Sequence, residues 1–128
     1  MTRDTRHRRA GERGSVSIQM TLLLPVMFSI LFLGMQAALY HHARSVATAA
    51  AQEGARAAAA DGARASDGCA AARSFVERAH GALEQPSVAC TRTLTSATVT
   101  VTGASVTVIA GWRPEISHQV SSPVERIT

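Results

Sequence analysis

At 128 residues the chain has room for one domain, and the part outside its long apolar run is too short for a large core of its own. Its formal net charge of +4 is concentrated at the start, where Arg3, Arg6, Arg8, Arg9 and Arg13 face only Asp4 and Glu12, while the remainder is close to balanced. With 4% aromatic residues and no basic face downstream to carry them, this distribution excludes a nucleic-acid-binding domain and reads as a cytoplasmic retention signal beside a membrane segment.

From Ser15 to Tyr40 no residue is charged. The core of that run, TLLLPVMFSILFLGMQAALY from Thr21 to Tyr40, is about 20 residues, or roughly 30 Å as a helix, which matches the hydrocarbon thickness of a bilayer. About ten Leu, Ile, Val and Phe side chains favour its insertion by roughly 3 to 6 kcal/mol before polar and proline corrections. The arginines ahead of it, against Arg44 alone just beyond it, orient the N-terminus inward and place residues 41–128 outside the cell membrane. Pro25 removes a backbone N–H and crowds the preceding turn, so a bend or local melting is expected there, with the Thr21 carbonyl unpaired. Gly34 alone is a weak signal for helix packing. A cleaved secretory signal fits less well: its apolar region is normally shorter, and the small-x-small site Ala47-Thr48-Ala49 comes late, after Arg44.

The run RSVATAAAQEGARAAAA, residues 44–60, is dominated by the best helix former, with Gly54 its weak point, so the helix continues outward. Ala43, Ala47, Ala51, Ala55 and Ala59 recur every four residues and form a flat ridge, suited either to a neighbouring helix or to packing under the chain's own small domain. DGARASDG, residues 61–68, carries two Asp-Gly steps and reads as the break. A second helix, Cys69 to Leu83, follows with Asp67 or Ser66 as its cap and Phe75 and Val76 on its core face, ending before Gln85-Pro86. The period then switches to two. Val88, Cys90 and Leu94 make a first candidate strand. Val99 and Val101 alternate with threonines, Val106 and Val108 alternate with Ser105 and Thr107, and Gly103-Ala104 between them suits a two-residue hairpin turn. Trp112 is expected to cap the sheet edge, and Ile116 and Val120 suggest one more short strand ending at Ser122-Pro123. Cys69 and Cys90, both beyond the apolar run, are expected to form a disulfide worth about 3 kcal/mol in chain-entropy terms, with free thiols or a metal site with His80 as the alternatives.

The opening residues carry a resemblance. A short basic leader ending in Gly14, an uncharged helix from Ser15, Pro25 early in that helix, Gly34, and the run Glu53-Gly54-Ala55-Arg56 together resemble the TadE-like family, pilin-like proteins of the tight-adherence (Flp) pilus assembly system. The resemblance covers about residues 13–60, and the ending SSPVERI, residues 121–127, is similar to the family's C-termini. It implies cleavage between Gly14 and Ser15 by a prepilin peptidase on the cytoplasmic side. It also implies partners among other pilin-like subunits and the pilus assembly machinery. The family commonly has Glu at the fifth position after the glycine, thought to pair with the free terminal amine of a neighbouring subunit. Here Gln19 stands in its place, followed by Met20 where an aromatic is usual. Gln accepts a hydrogen bond from an ammonium but supplies no opposite charge, which favours a minor or initiating component over a major repeating one.

The expected fold class is α+β: a basic leader (1–14), a transmembrane helix (15–40), an Ala-rich helical stalk and break (41–68), and a small extracytoplasmic domain (69–128) of one helix and an antiparallel sheet. The sequence has no nucleophile elbow, Gly-rich phosphate loop, carboxylate cluster or ligand-spaced histidines, so no catalytic residue, metal or cofactor is assigned. Gly14 and Ser15 are the processing site, Gln19 and Pro25 the assembly residues. The alternative is an unprocessed, single-pass anchored module that binds a surface partner.

Overall fold

The computed structural model describes residues 9–125, with side chains from Val16 onward. Its elements in chain order are α1 (Arg9–Ala59), α2 (Ala65–Arg78), β1 (Leu83–Arg92), β2 (Ser96–Ser105) and β3 (Glu115–Pro123), an α+β arrangement as the sequence implies. The described chain divides into two compact units, one ending at Met35 and the other beginning at Gln36.

In the first unit, every residue from 16 to 35 is exposed, including Leu22, Phe28 and Leu31. A helix apolar on nearly all sides and covered by none of its own chain is a candidate to cross a lipid bilayer. The assignment runs through Pro25 without interruption, so there is no local melting.

The second unit begins with the outer part of α1. Ala43, Ala47, Ala51, Ala55 and Ala59 are all buried, joined by Val46, Ala50 and Ala58. The alanine ridge is therefore occupied within the chain, and the intramolecular one of its two possible uses is the one realised. The sheet is an antiparallel meander of order β1-β2-β3. Its inward face carries Ala97, Val99 and Val101 from β2, all fully buried, with Val88 and Cys90 of β1 paired to Val101 and Val99. Val120 and Ile116 of β3 pair with Val99 and Gly103 on the same face. Burying each of the two central valines contributes about 1.5 to 3 kcal/mol. The opposite face presents Thr98, Thr100 and Thr102 beside Ser117, Gln119 and Ser121, the hydroxyl side of a one-face-buried sheet.

Three expectations are corrected. Gly103-Ala104 is not a turn: β2 continues through it, and Val106 and Val108 lie beyond the strand in a connection to β3. A Cβ at Gly103 would stand 3.1 Å from Leu83 Cδ2, so the glycine leaves room for that side chain at an inward-facing position. The real hairpin turn is at 93–95, after β1. The Thr93 N–H donates to Ser96 O (2.8 Å) and the Thr93 hydroxyl accepts from the Ser96 N–H (3.0 Å), leaving Leu94 at the tip rather than in a strand. Second, α2 starts at Ala65 and ends at Arg78, because His80 and Gly81 take positive φ and send Leu83 into β1. Its N-terminus is closed by Asp67 Oδ2 accepting the Arg64 N–H (2.7 Å), so Asp67 reaches back from the first turn instead of sitting at the cap. Of the two Asp-Gly steps, only Asp61-Gly62 breaks the chain, with Gly62 at φ +69; Gly68 is inside α2. Third, Trp112 is half exposed in the β2–β3 connection, so its ring is not buried over the sheet edge.

Arg92 at the end of β1 ties this unit together. Its Nη1 donates towards Ala58 O (2.6 Å), Ala60 O (3.0 Å) and Ala63 O, and the Glu125 N–H donates to Ala59 O (3.1 Å). The carbonyls left without partners at the end of a helix, where its dipole is negative, thus receive a cation and a backbone donor.

Candidate functional site

The sequence places four candidate residues in the N-terminal segment and a cysteine pair in the outer unit. Gly14 and Ser15 fall within the range of α1, with their side chains outside the described residues. Gln19 is exposed, one turn further along. Pro25 is exposed inside the helix, and its carbonyl accepts the Ser29 hydroxyl proton (2.7 Å); Thr21 Oγ1 likewise donates to Ser17 O (2.9 Å). The Thr21 and Ser29 hydroxyls are thereby satisfied along their own helix, which lowers their cost in a medium without water. Leu24, Met27, Phe28, Ile30 and Leu31 line a shallow apolar groove on the helix surface, and the Phe28 and Phe32 rings stack at 6.5 Å between centroids.

In the outer unit, Cys69 and Cys90 are bonded, with Cα atoms 5.7 Å apart, so the disulfide joins the first half of α2 to β1. This settles the choice among bonded, free and metal-bound thiols in favour of the first. Among the described residues no three His, Cys, Asp or Glu side chains gather as a metal site. Glu84 and Arg113 approach to 3.8 Å at the surface, and such a pair is worth little. Arg44 Nε donates to His118 Nε2 (3.2 Å), linking α1 to β3 through a histidine that the sequence leaves isolated.

Sequence reasoning missed Gln36. It is the first buried residue after the exposed stretch, 1% accessible, and both ends of its amide are engaged by the β2–β3 connection. Oε1 accepts the Val108 N–H (2.9 Å) and stands 3.2 Å from the Thr107 hydroxyl, while Nε2 donates to Val106 O (3.4 Å). The available signal was an amide inside LFLGMQAALY, where an unpaired polar group is costly and therefore implies a partner.

The long helix passes the length and composition test for a membrane crossing, with a mean hydropathy of 2.1 over its most apolar window and none of that window buried. Neither the curated proteins nor the solved structures contain a match to the chain. A family model does match, and it begins at the glycine already singled out as the end of the leader. Over residues 14–56, from Gly14 through the apolar helix to Arg56, the chain matches the model described as TadE-like protein.

Proposed function

We propose that this chain is a non-enzymatic, single-pass, pilin-like membrane protein, cut between Gly14 and Ser15 by a prepilin peptidase. It acts as a minor or initiating component in assembly of a tight-adherence surface filament. The observation that carries this reading is the junction at Gly14. A TadE-like match starts there, and an uncharged helix with twenty successive exposed residues, 16–35, follows almost at once. Twenty residues give about 30 Å of helix, one hydrocarbon thickness. The arginines ahead of Gly14 stay on the cytoplasmic side, and the disulfide-bonded unit stands outside, where thiols oxidise.

Cleavage leaves Ser15 as a free ammonium at the head of an apolar rod. Rods of this kind associate through lateral van der Waals contact in lipid, and the groove between Leu24 and Leu31 is a surface for such contact. Gln19 offers an incoming amine an acceptor without a charge, which suits a subunit that joins once more than one that repeats. The same Gln19 is what favours the second reading, an unprocessed anchor carrying a binding module.

Photo-crosslinking from a probe at Phe28 in cells that build the filament separates the two. Crosslinks to other small pilin-like chains, lost when the peptidase is absent, are expected. Crosslinks confined to lipid, with the peptidase present, support the plain anchor.

A further inference from the structure

We propose that the connection between β2 and β3, residues 106–114, is a membrane-interface anchor that seats Val108 and Trp112 at the headgroup–acyl boundary. The proposal rests on the reading that residues 16–35 cross the bilayer, and it goes beyond that reading by assigning the outer unit its own contact with lipid.

The depth of the loop follows from Gln36. With 16–35 filling the hydrocarbon thickness, Gln36 lies at its outer edge, and the uncharged run extends about four residues, or roughly 6 Å of helix, beyond it to Tyr40. Gln36 belongs to the outer unit, and its side chain holds the backbone of Val106 and Val108 directly. The loop is thereby held within hydrogen-bond reach of the residue that directly follows the span.

Its composition and hydrogen bonding suit that level. Val108 is 41% and Trp112 51% accessible, large apolar side chains turned away from the protein core. Trp112 is followed by Arg113, whose side chain is exposed, so the tip pairs an amphipathic ring with a cation for phosphate headgroups. Irregular backbone is tolerated near lipid only where its polar groups are paired within the protein. Here the Val108 N–H goes to Gln36 Oε1, the Ile109 N–H to Thr107 Oγ1 (3.1 Å), and the Trp112 N–H to Ile109 O (3.3 Å). The last bond closes a turn whose third residue, Gly111, has φ +82, as a type II turn requires. A buried amide therefore locks a loop in which the N–H groups of Val108, Ile109 and Trp112 are paired within the protein while the Val108 and Trp112 side chains are exposed.

Trp112 is the chain's single tryptophan, so its native fluorescence reads this loop alone. The full chain is reconstituted in vesicles of phosphatidylethanolamine and phosphatidylglycerol, floated on a density gradient, and quenched with lipids brominated near the headgroup or near the bilayer centre, and with aqueous iodide. The expected result is a floating chain whose emission is quenched by the shallow label roughly twofold or more over the deep one, with little effect of iodide. Moving the probe, as Val108→Trp in a Trp112→Phe background, is expected to give the same shallow depth. A floating chain with Trp112 open to iodide overturns the anchor while leaving the span intact. Protection from lipid and iodide alike means that a protein surface covers the loop, and overturns it equally. A chain that does not float removes the span and the anchor together.

Discussion

Gly54 of α1 and Gly68 of α2 meet backbone to backbone: a Cβ on Gly54 would stand 2.8 Å from the Gly68 carbonyl oxygen, and one on Gly68 would stand 2.6 Å from that of Gly54. Ala72 and Ala58, at 2.9 and 2.6 Å from the same two imagined carbons, complete a crossing made wholly of small residues. Alanine at position 54 would add about 1 kcal/mol of helix propensity. It would also force apart a contact whose nearest atom is a main-chain oxygen that cannot swing aside, at a cost of about 1 to 3 kcal/mol. The clash is the larger effect because the neighbouring Val99 Cγ1, at 3.1 Å, closes the remaining direction. Gly54→Ala is thus expected to lose up to about 2 kcal/mol, read as a lower guanidinium midpoint of the detergent-solubilised chain followed by Trp112 fluorescence.

The disulfide predicts a redox-dependent stability. Cys69 and Cys90 close a loop with a sequence separation of 21, and removing such a bond costs about 3 kcal/mol. Unfolding with and without reductant is expected to differ by that amount in the native chain, and to be insensitive to reductant once both cysteines are serine.

Arg92→Met tests the clamp on the end of α1. It keeps much of the aliphatic stem but leaves the carbonyls of Ala58, Ala60 and Ala63 without their guanidinium donor. Hydrogen bonds from a charged donor are worth about 1.5 to 3 kcal/mol, and a loss in that range is expected. Amide exchange is expected to accelerate chiefly in the last turn of α1 and the 60–64 connection.

Position 19 gives a gain-of-function prediction. If the missing charge limits entry into the filament, Gln19→Glu will raise the amount of this chain recovered in sheared filaments several-fold, at the cost of burying an acid that only a neighbouring ammonium offsets. An unchanged yield would mean that the amine finds its partner elsewhere.

How much was legible depended on the range of the signal. The apolar helix and its alanine continuation were readable because composition decides them, and the cysteine pairing because the chain offers only one partner for each. The inward placing of Val99 and Val101 followed from period-two alternation. The hairpin was misplaced for a local reason. Gly103-Ala104 looks like a turn, yet the glycine is there for Leu83, a residue twenty positions away. The true turn at 93–95 is made by threonine and serine hydroxyls with no glycine or proline to mark it. Gly54 likewise looked like a weakness of the helix and is its contact point with α2. Gln36 went unread because its partners lie seventy or more residues on, in a loop without a motif.

The most direct measurement is the N-terminal sequence of the chain extracted from membranes of cells that carry the matching prepilin peptidase. The account predicts a chain beginning at Ser15. A chain that still begins at Met1 in those cells would contradict it.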